Sequence, residues 1–429
     1  MLIDFSVENY RSIADKQTLS LVASKLRSDA EGQAAVECAG FKHQLLTSAV
    51  IYGANGSGKS NILRALSEFG TLVAHSASDK DHDIQPYLLD PALAQTPTRF
   101  EVSFILEGVR FQYGFSVDAE RVYEEWLLAY PRRTAQVWFD RKWNGVTHEV
   151  QFGSHLKGEK TRIHAITRAD SLFLSVAVQF KQAQLEPVFN WITKGLRVRQ
   201  AKAISPIATA RQIEQGGDSA HLVSKFLRAA DMGIERVLVR KHSQLPEATT
   251  QGNVRPRSLI AVRQNKDEET EGEFLEIQTE HVRADGRKVL FDMLSDESDG
   301  TYRYFSLIAP LVSTLASGGV FAVDELDDSL HPLLVREIVR AFHDPVVNKN
   351  QAQLIFNSHD TTLLDPTLFR RDQIWFTEKV PPGKTKLYPL IEFSPRKNEA
   401  LQKGYLEGRY GAVPFLGNFA FEETSEAAE

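Results

Sequence analysis

Residues 50–61 read VIYGANGSGKSN, and no other stretch narrows the possible folds as much. Gly53, Gly58, Lys59 and Ser60 fill the pattern G-x-x-x-x-G-K-[ST] completely. The apolar-leaning QLLTSAV precedes the stretch and ILRALSEF, with helical spacing, follows it. A strand-to-helix turn is therefore expected. In that setting glycines let backbone N–H groups wrap phosphates and the helix N-terminus adds its positive end. Lys59 is placed to reach β- and γ-phosphate oxygens and Ser60 to hold magnesium. Asn55, Gly56 and Asn61 belong to the same nucleotide-contacting set.

A phosphate loop needs a carboxylate for its metal and a group that orients water. GVFAVDELDDSLHP offers both: Asp324 ends an apolar strand as a magnesium-side carboxylate, and Glu325 beside it is a candidate general base. Read alone, the acidic run is also what a solvated helix start looks like. LIFNSHD puts His359 just past another apolar strand, where ligand crevices of α/β sheets open. Ser298, Asp299 and Gly300 precede a helical pattern; they read equally as an anion site or as a helix cap.

Elsewhere the pattern changes. RFEVSFIL, VRFQYGFSV, RVYEEWLLAY and QVWFDRK alternate with period two and break at Gly or polar turns, predicting an antiparallel meander. From about 172 to 233 apolar residues recur at helical spacing. Polar, mixed-charge segments at 241–258 and 263–273 read as loops. Beyond residue 287 strand and helix alternate again. The expected fold class is thus α/β: a mixed sheet with flanking helices, interrupted by a β-meander and helices. By motif content the division is 1–89, an insertion at 90–285, and 286–429.

The chain of 429 residues is 42% hydrophobic and 25% charged, with net charge -6, so its overall field does not advertise nucleic acid. A single cysteine, Cys38, excludes an intrachain disulfide and fits a cytoplasmic setting. FSLIAPLVSTLASGGVFAV, residues 305–323, is uncharged over a membrane-spanning length, yet Gly318-Gly319 and the acidic run behind it predict helix, turn and strand.

GANGSGKS, the serine-glycine motif, VDELDDSLHP and NSHD, in that order, resemble the ABC-type ATPase heads of the SMC, RecF and OLD kind. ENYRSI resembles the first strand of that group. SPRKNEALQKGYLEGRYGAVPFL resembles the end of the prokaryotic AAA family ATP-binding proteins that include RloA and related abortive-infection ATPases. The resemblance implies Walker A at Lys59 and Ser60, Walker B at Asp324 and Glu325, and a switch histidine at His359. It implies a signature at Ser298 and Gly300 acting across a dimer, with Arg11 near the phosphates. Asp299 departs from the usual L-S-G-G-Q pattern. Gln85, in DIQPYLLD, is the expected Q-loop glutamine. The cofactors implied are ATP and Mg2+; the partners are a second copy of the chain and an effector protein such as a nuclease, in anti-phage defence. A DNA-repair ATPase is the alternative, with YPRRTAQVWFDRK and GLRVRQAK as its basic segments. A transporter ATPase subunit is a further one, against which the first strand and long β-rich segment speak.

Overall fold

The computed structural model describes residues 1–25, 32–79, 82–132, 134–242, 259–262, 273–396 and 399–414. The phosphate loop grows out of a six-stranded sheet, ordered Leu196–Gln200, Val320–Asp324, Gln353–Asn357, Ser48–Gly53, Ile374–Val380 and Lys384–Pro389. The first five strands run parallel and the last is antiparallel to its neighbour. The strands Ser48–Gly53, Val320–Asp324 and Gln353–Asn357 are buried at every residue. Helices cover both faces of such a sheet, which is why these strands are continuous apolar runs instead of alternating ones.

Side chains of the sheet divide between two cores. Ala49, Ile51, Ala322 and Ile355 pack with Ile62, Leu63, Leu66 and Phe69 of helix Lys59–His75. Val50, Tyr52, Phe321 and Phe356 pack with helices Asp299–Ser317 and Pro332–His343. Helix Lys59–His75 is itself sandwiched. Its Phe69 stacks on Phe115 with ring centroids 5.4 Å apart and meets Phe5 at 6.0 Å. Those two belong to a seven-stranded antiparallel sheet ordered His148–Phe152, Gln136–Trp143, Val122–Tyr130, Val109–Val117, Thr98–Leu106, Leu2–Glu8 and Gln17–Ser20.

The meander expected from the period-two pattern is present, but it is no separate body. Thr98–Leu106 pairs with Leu2–Glu8, so the sheet begun by the first strand is completed by residues beyond 90. Leu196–Gln200, likewise inside the expected insertion, is the edge of the parallel sheet. Motif content places boundaries at 89/90 and 285/286; hydrogen-bonded sheets cross the first and reach past the second. The sheet containing Arg236–His242 and Glu273–Val282 also takes in Lys288–Asp292.

Residues 305–323 resolve as expected into the helix Asp299–Ser317, a left-handed Gly318 at φ 70, and the strand Val320–Asp324. Among the described residues no helix is long and apolar enough to cross a membrane. Most of the segments 241–258 and 263–273, and Phe415 with the acidic end behind it, lie outside the described residues.

Candidate functional site

Strand Ser48–Gly53 ends where helix Lys59–His75 begins, and the turn between them is held from the side. Thr385 Oγ1 donates to the Ser57 carbonyl at 2.9 Å and lies 2.7 Å from Ser12 Oγ, which accepts from Asn61 Nδ2 at 2.6 Å. Thr385 comes so close that a Cβ on Gly58 would sit 2.0 Å from its Oγ1; Gly58 also has φ 105. Only glycine satisfies both conditions. Gly56, at φ 75, has open space where its side chain would be.

The turn forms one wall of a cavity of about 570 Å³. Asn55, Gly56, Gly58, Lys59, Ser60 and Asn61 line it from the loop, Arg64 from the helix, and Glu325, Asn357 and His359 from the two neighbouring strand ends. Lys59 is buried and its Nζ donates to the carbonyls of Gly53 at 2.7 Å and Ala54 at 3.2 Å. Burial pulls its ammonium down to about 8, against the opposing pull of Asp324, Glu325 and Asp327. Ser60 Oγ donates to Asp324 Oδ1 at 2.8 Å. Register explains the next contact: Val323 stands opposite Phe356 in parallel strands, so Asn357 arrives beside Asp324. Asn357 Nδ2 donates to Asp324 Oδ1 and its Oδ1 accepts the N–H of Glu325. Glu325 is held in the left-handed region at φ 59, a conformation costly for a non-glycine residue and concentrated at functional sites. The His359 imidazole is lowered from its ordinary value first by burial and then by Lys59; the residue's backbone N–H donates to Asp327 Oδ2 at 3.0 Å.

This lining fits a magnesium polyphosphate. Unobstructed backbone at Gly56, a partly desolvated ammonium and a helix N-terminus face one space. Ser60 and Asp324 present the hard oxygens that magnesium prefers.

Not every expected site residue is here. Asp324 stands at the rim, in a smaller cavity of about 80 Å³ shared with Arg64, Arg199 and Gln200. Arg11 does not line the main cavity; its Nε lies 3.3 Å from Tyr10 Oη and its N–H donates to the Gln85 carbonyl at 2.8 Å. Gln85 is exposed and lines neither cavity; its loop lies beside Arg11. The glutamine next to Asp324 is Gln200, paired with it across parallel strands. Its signal was its place at the end of a short strand, in a region whose pattern is otherwise helical. Arg64 and Asn357 were also missed. Asn357 was visible in NSHD, but its role depends on register.

Ser298 caps helix Asp299–Ser317, its Oγ accepting from the Thr301 N–H at 3.1 Å; a Cβ on Gly300 would lie 2.9 Å from the Ser329 carbonyl. Neither residue lines the phosphate cavity. Of the basic segments' described residues, Arg141 is fully buried against Glu125 at 3.3 Å, and the exposed Lys142 and Lys202 pair with Asp140 and Glu325, each at 3.2 Å.

Among solved structures the chain is similar to the SMC head domain from Thermotoga maritima, with 11% identity, TM-score 0.40, and coverage of 90% of this chain and 98% of that one. An Smc head bound to the C-winged helix domain of ScpA gives 11% identity, TM-score 0.42, and 90% and 97% coverage. An Smc head with an extended coiled coil, bound to the C-terminal domain of ScpA derived from Pyrococcus furiosus, gives 12% identity, TM-score 0.40, and 95% and 99% coverage. No curated protein sequence matches significantly. The family model described as "AAA domain, putative AbiEii toxin, Type IV TA system" matches residues 48–365, from the strand before the phosphate loop to just past His359, and the chain belongs to that family of AAA/ABC-type ATPase proteins.

Proposed function

We propose that the chain is a magnesium-dependent ATP hydrolase whose heads associate around ATP, and that this association controls a partner effector. The observation that carries the proposal is the convergence of Lys59, Ser60, Asp324 and Glu325 at one end of one sheet, locked by Asn357. A bound magnesium nucleotide supplies the electrophilic phosphorus and metal charge. The chain's own residues do the rest. Lys59 and the loop amides would bind phosphate oxygens, Ser60 and Asp324 would hold the metal with Gln200 beside them, and Glu325 would take the proton of the attacking water. His359 donates toward the terminal phosphate.

That Ser298 and Gly300 do not line this cavity is consistent with a signature that acts on a second copy. Ser298 and Gly300 sit at a helix N-terminus outside the cavity, so a half-site here meets the signature of a partner chain. Order imposed by γ-phosphate contacts and released by hydrolysis is a known switching device. The resemblance of the closing segment to abortive-infection ATPases is what suggests a role in anti-phage defence, in the cytoplasm, with an effector such as a nuclease. Glu325→Gln tests the chemical part: nucleotide binding persists while turnover falls by roughly two or more powers of ten, the size of a lost general base. Undiminished turnover removes Glu325 from the role.

A further inference from the structure

We propose that Lys202 is a releasable brake on Glu325, coupling the state of the Ser298 helix to the catalytic carboxylate. The inference deepens the ATPase reading above and rests on it.

Glu325 is tied at two points. Its backbone N–H is held by the buried amide of Asn357. Its carboxylate is held by Lys202, whose Nζ lies 3.2 Å from Glu325 Oε2 and 3.6 Å from Asp328 Oδ1. The first tie is enclosed by protein; the second is open to solvent, with 59% of the Lys202 side chain exposed. An enclosed hydrogen bond sets geometry, whereas an exposed ion pair is weak enough to be exchanged. A carboxylate occupied by an ammonium is a poorer acceptor for the proton of water.

Lys202 is not a wandering surface lysine. It directly follows the edge strand Leu196–Gln200 in a short turn, and Ala201 and Ile204 on either side of it are buried in the core beneath helix Asp299–Ser317. Its carbonyl accepts from Arg303 Nη1 at 2.7 Å. Arg303 lies in the first turns of the helix that Ser298 caps. One short segment therefore places Gln200 beside Asp324, sets Lys202 on Glu325, and is gripped by the helix whose N-terminus carries the signature. When that helix end engages a second chain and shifts, Arg303 draws the Lys202 backbone with it and frees the carboxylate.

The bland account, a lysine attracted to any acidic run, predicts no kinetic consequence. The test uses the full chain with magnesium ATP as probe and reads the residual basal turnover at protein dilutions where copies are apart. kcat and KM are measured for wild type, Lys202→Met, Lys202→Arg and Arg303→Met, each also combined with Glu325→Gln. The brake predicts a roughly two- to five-fold rise in kcat for Lys202→Met, the shift an exposed ion pair can hold. KM stays within about two-fold and the melting temperature is unchanged. Lys202→Arg behaves as wild type, Arg303→Met, which cuts the link that releases the brake, keeps the wild-type kcat at this dilution, and all differences vanish when Glu325 is Gln. An unchanged or lowered kcat in Lys202→Met, with turnover still dependent on Glu325, overturns the brake and leaves the ATPase reading standing. Turnover indifferent to Glu325→Gln overturns both.

Discussion

The side-chain amide of Asn357 touches both members of the candidate catalytic pair, donating to Asp324 and accepting from the Glu325 N–H. Asn357→Ala leaves the Asp324 carboxylate with Ser60 alone and the Glu325 N–H without its acceptor. Turnover is expected to fall at least about ten-fold, while the loss of buried hydrogen bonds costs on the order of 1–3 kcal/mol of stability. Steady-state ATPase and denaturant titration check the two parts. His343 offers a pH-dependent counterpart. It is buried, its Nε2 lying 2.9 Å from Ser48 Oγ, and burial lowers it to about 4. The unfolded chain binds this proton near its ordinary 6.5 while the folded chain does not. Stability is therefore full above 6.5 and declines as pH falls toward 4, by about 3 kcal/mol from this group. His343→Gln loses that part of the decline, read from denaturation midpoints at pH 7 and pH 5. Lys59, Ser60, Asp324 and Glu325 were legible in the sequence because their chemistry is carried by spacing within a single turn or strand end. Asn357 and Gln200 were not, because their value comes from which strands lie side by side.

Among the elements, the strand Leu196–Gln200 was the hardest to read. It has five residues, alternates Arg with apolar side chains, and lies amid helical periodicity; only its pairing with Val320–Asp324 makes it an edge strand. The meander was plain because its alternation runs through four long strands. Its closing contact was not: Glu125 and Arg141, both fully buried, meet across neighbouring strands, and Glu125 accepts the N–H groups of Phe173 at 2.6 Å and Leu174 at 3.0 Å. Glu125→Ala strands a buried guanidinium and is expected to cost about 3–5 kcal/mol, seen as a large fall in melting temperature. The closing segment, odd for its aromatics, docks on the chain's own core. Tyr405 and Tyr410 stack on Phe376 at 5.4 Å and 5.9 Å, and Tyr405 lies 5.8 Å from Tyr52 on the phosphate-loop strand. Arg409 points outward, 56% exposed and 2.8 Å from Glu399. Tyr410→Ala is therefore expected to cost about 3 kcal/mol or more of stability. Arg409→Ala stays below about 1 kcal/mol; if it nonetheless disrupts assembly at unchanged melting temperature, Arg409 belongs to an interface.

At the scale of the molecule, helix Lys59–His75 lies between the parallel and antiparallel sheets, so the phosphate loop is fixed to both. The Ser298 helix covers the opposite face of the parallel sheet, packing on Phe321 and Val323, and its N-terminal end approaches Ser329 and the Lys202 carbonyl. Ser298 and Gly300 do not line the cavity that Lys59 and Ser60 line. The account's central claim is that ATP joins two copies of the chain, and the most direct measurement is solution mass by light scattering on Glu325→Gln, with and without magnesium ATP. The expected result is a mass that rises to a higher multiple of the chain only when ATP is present, and that fails to rise when Lys59→Ala is added. A mass independent of ATP, in protein shown by equilibrium binding to hold the nucleotide, contradicts it.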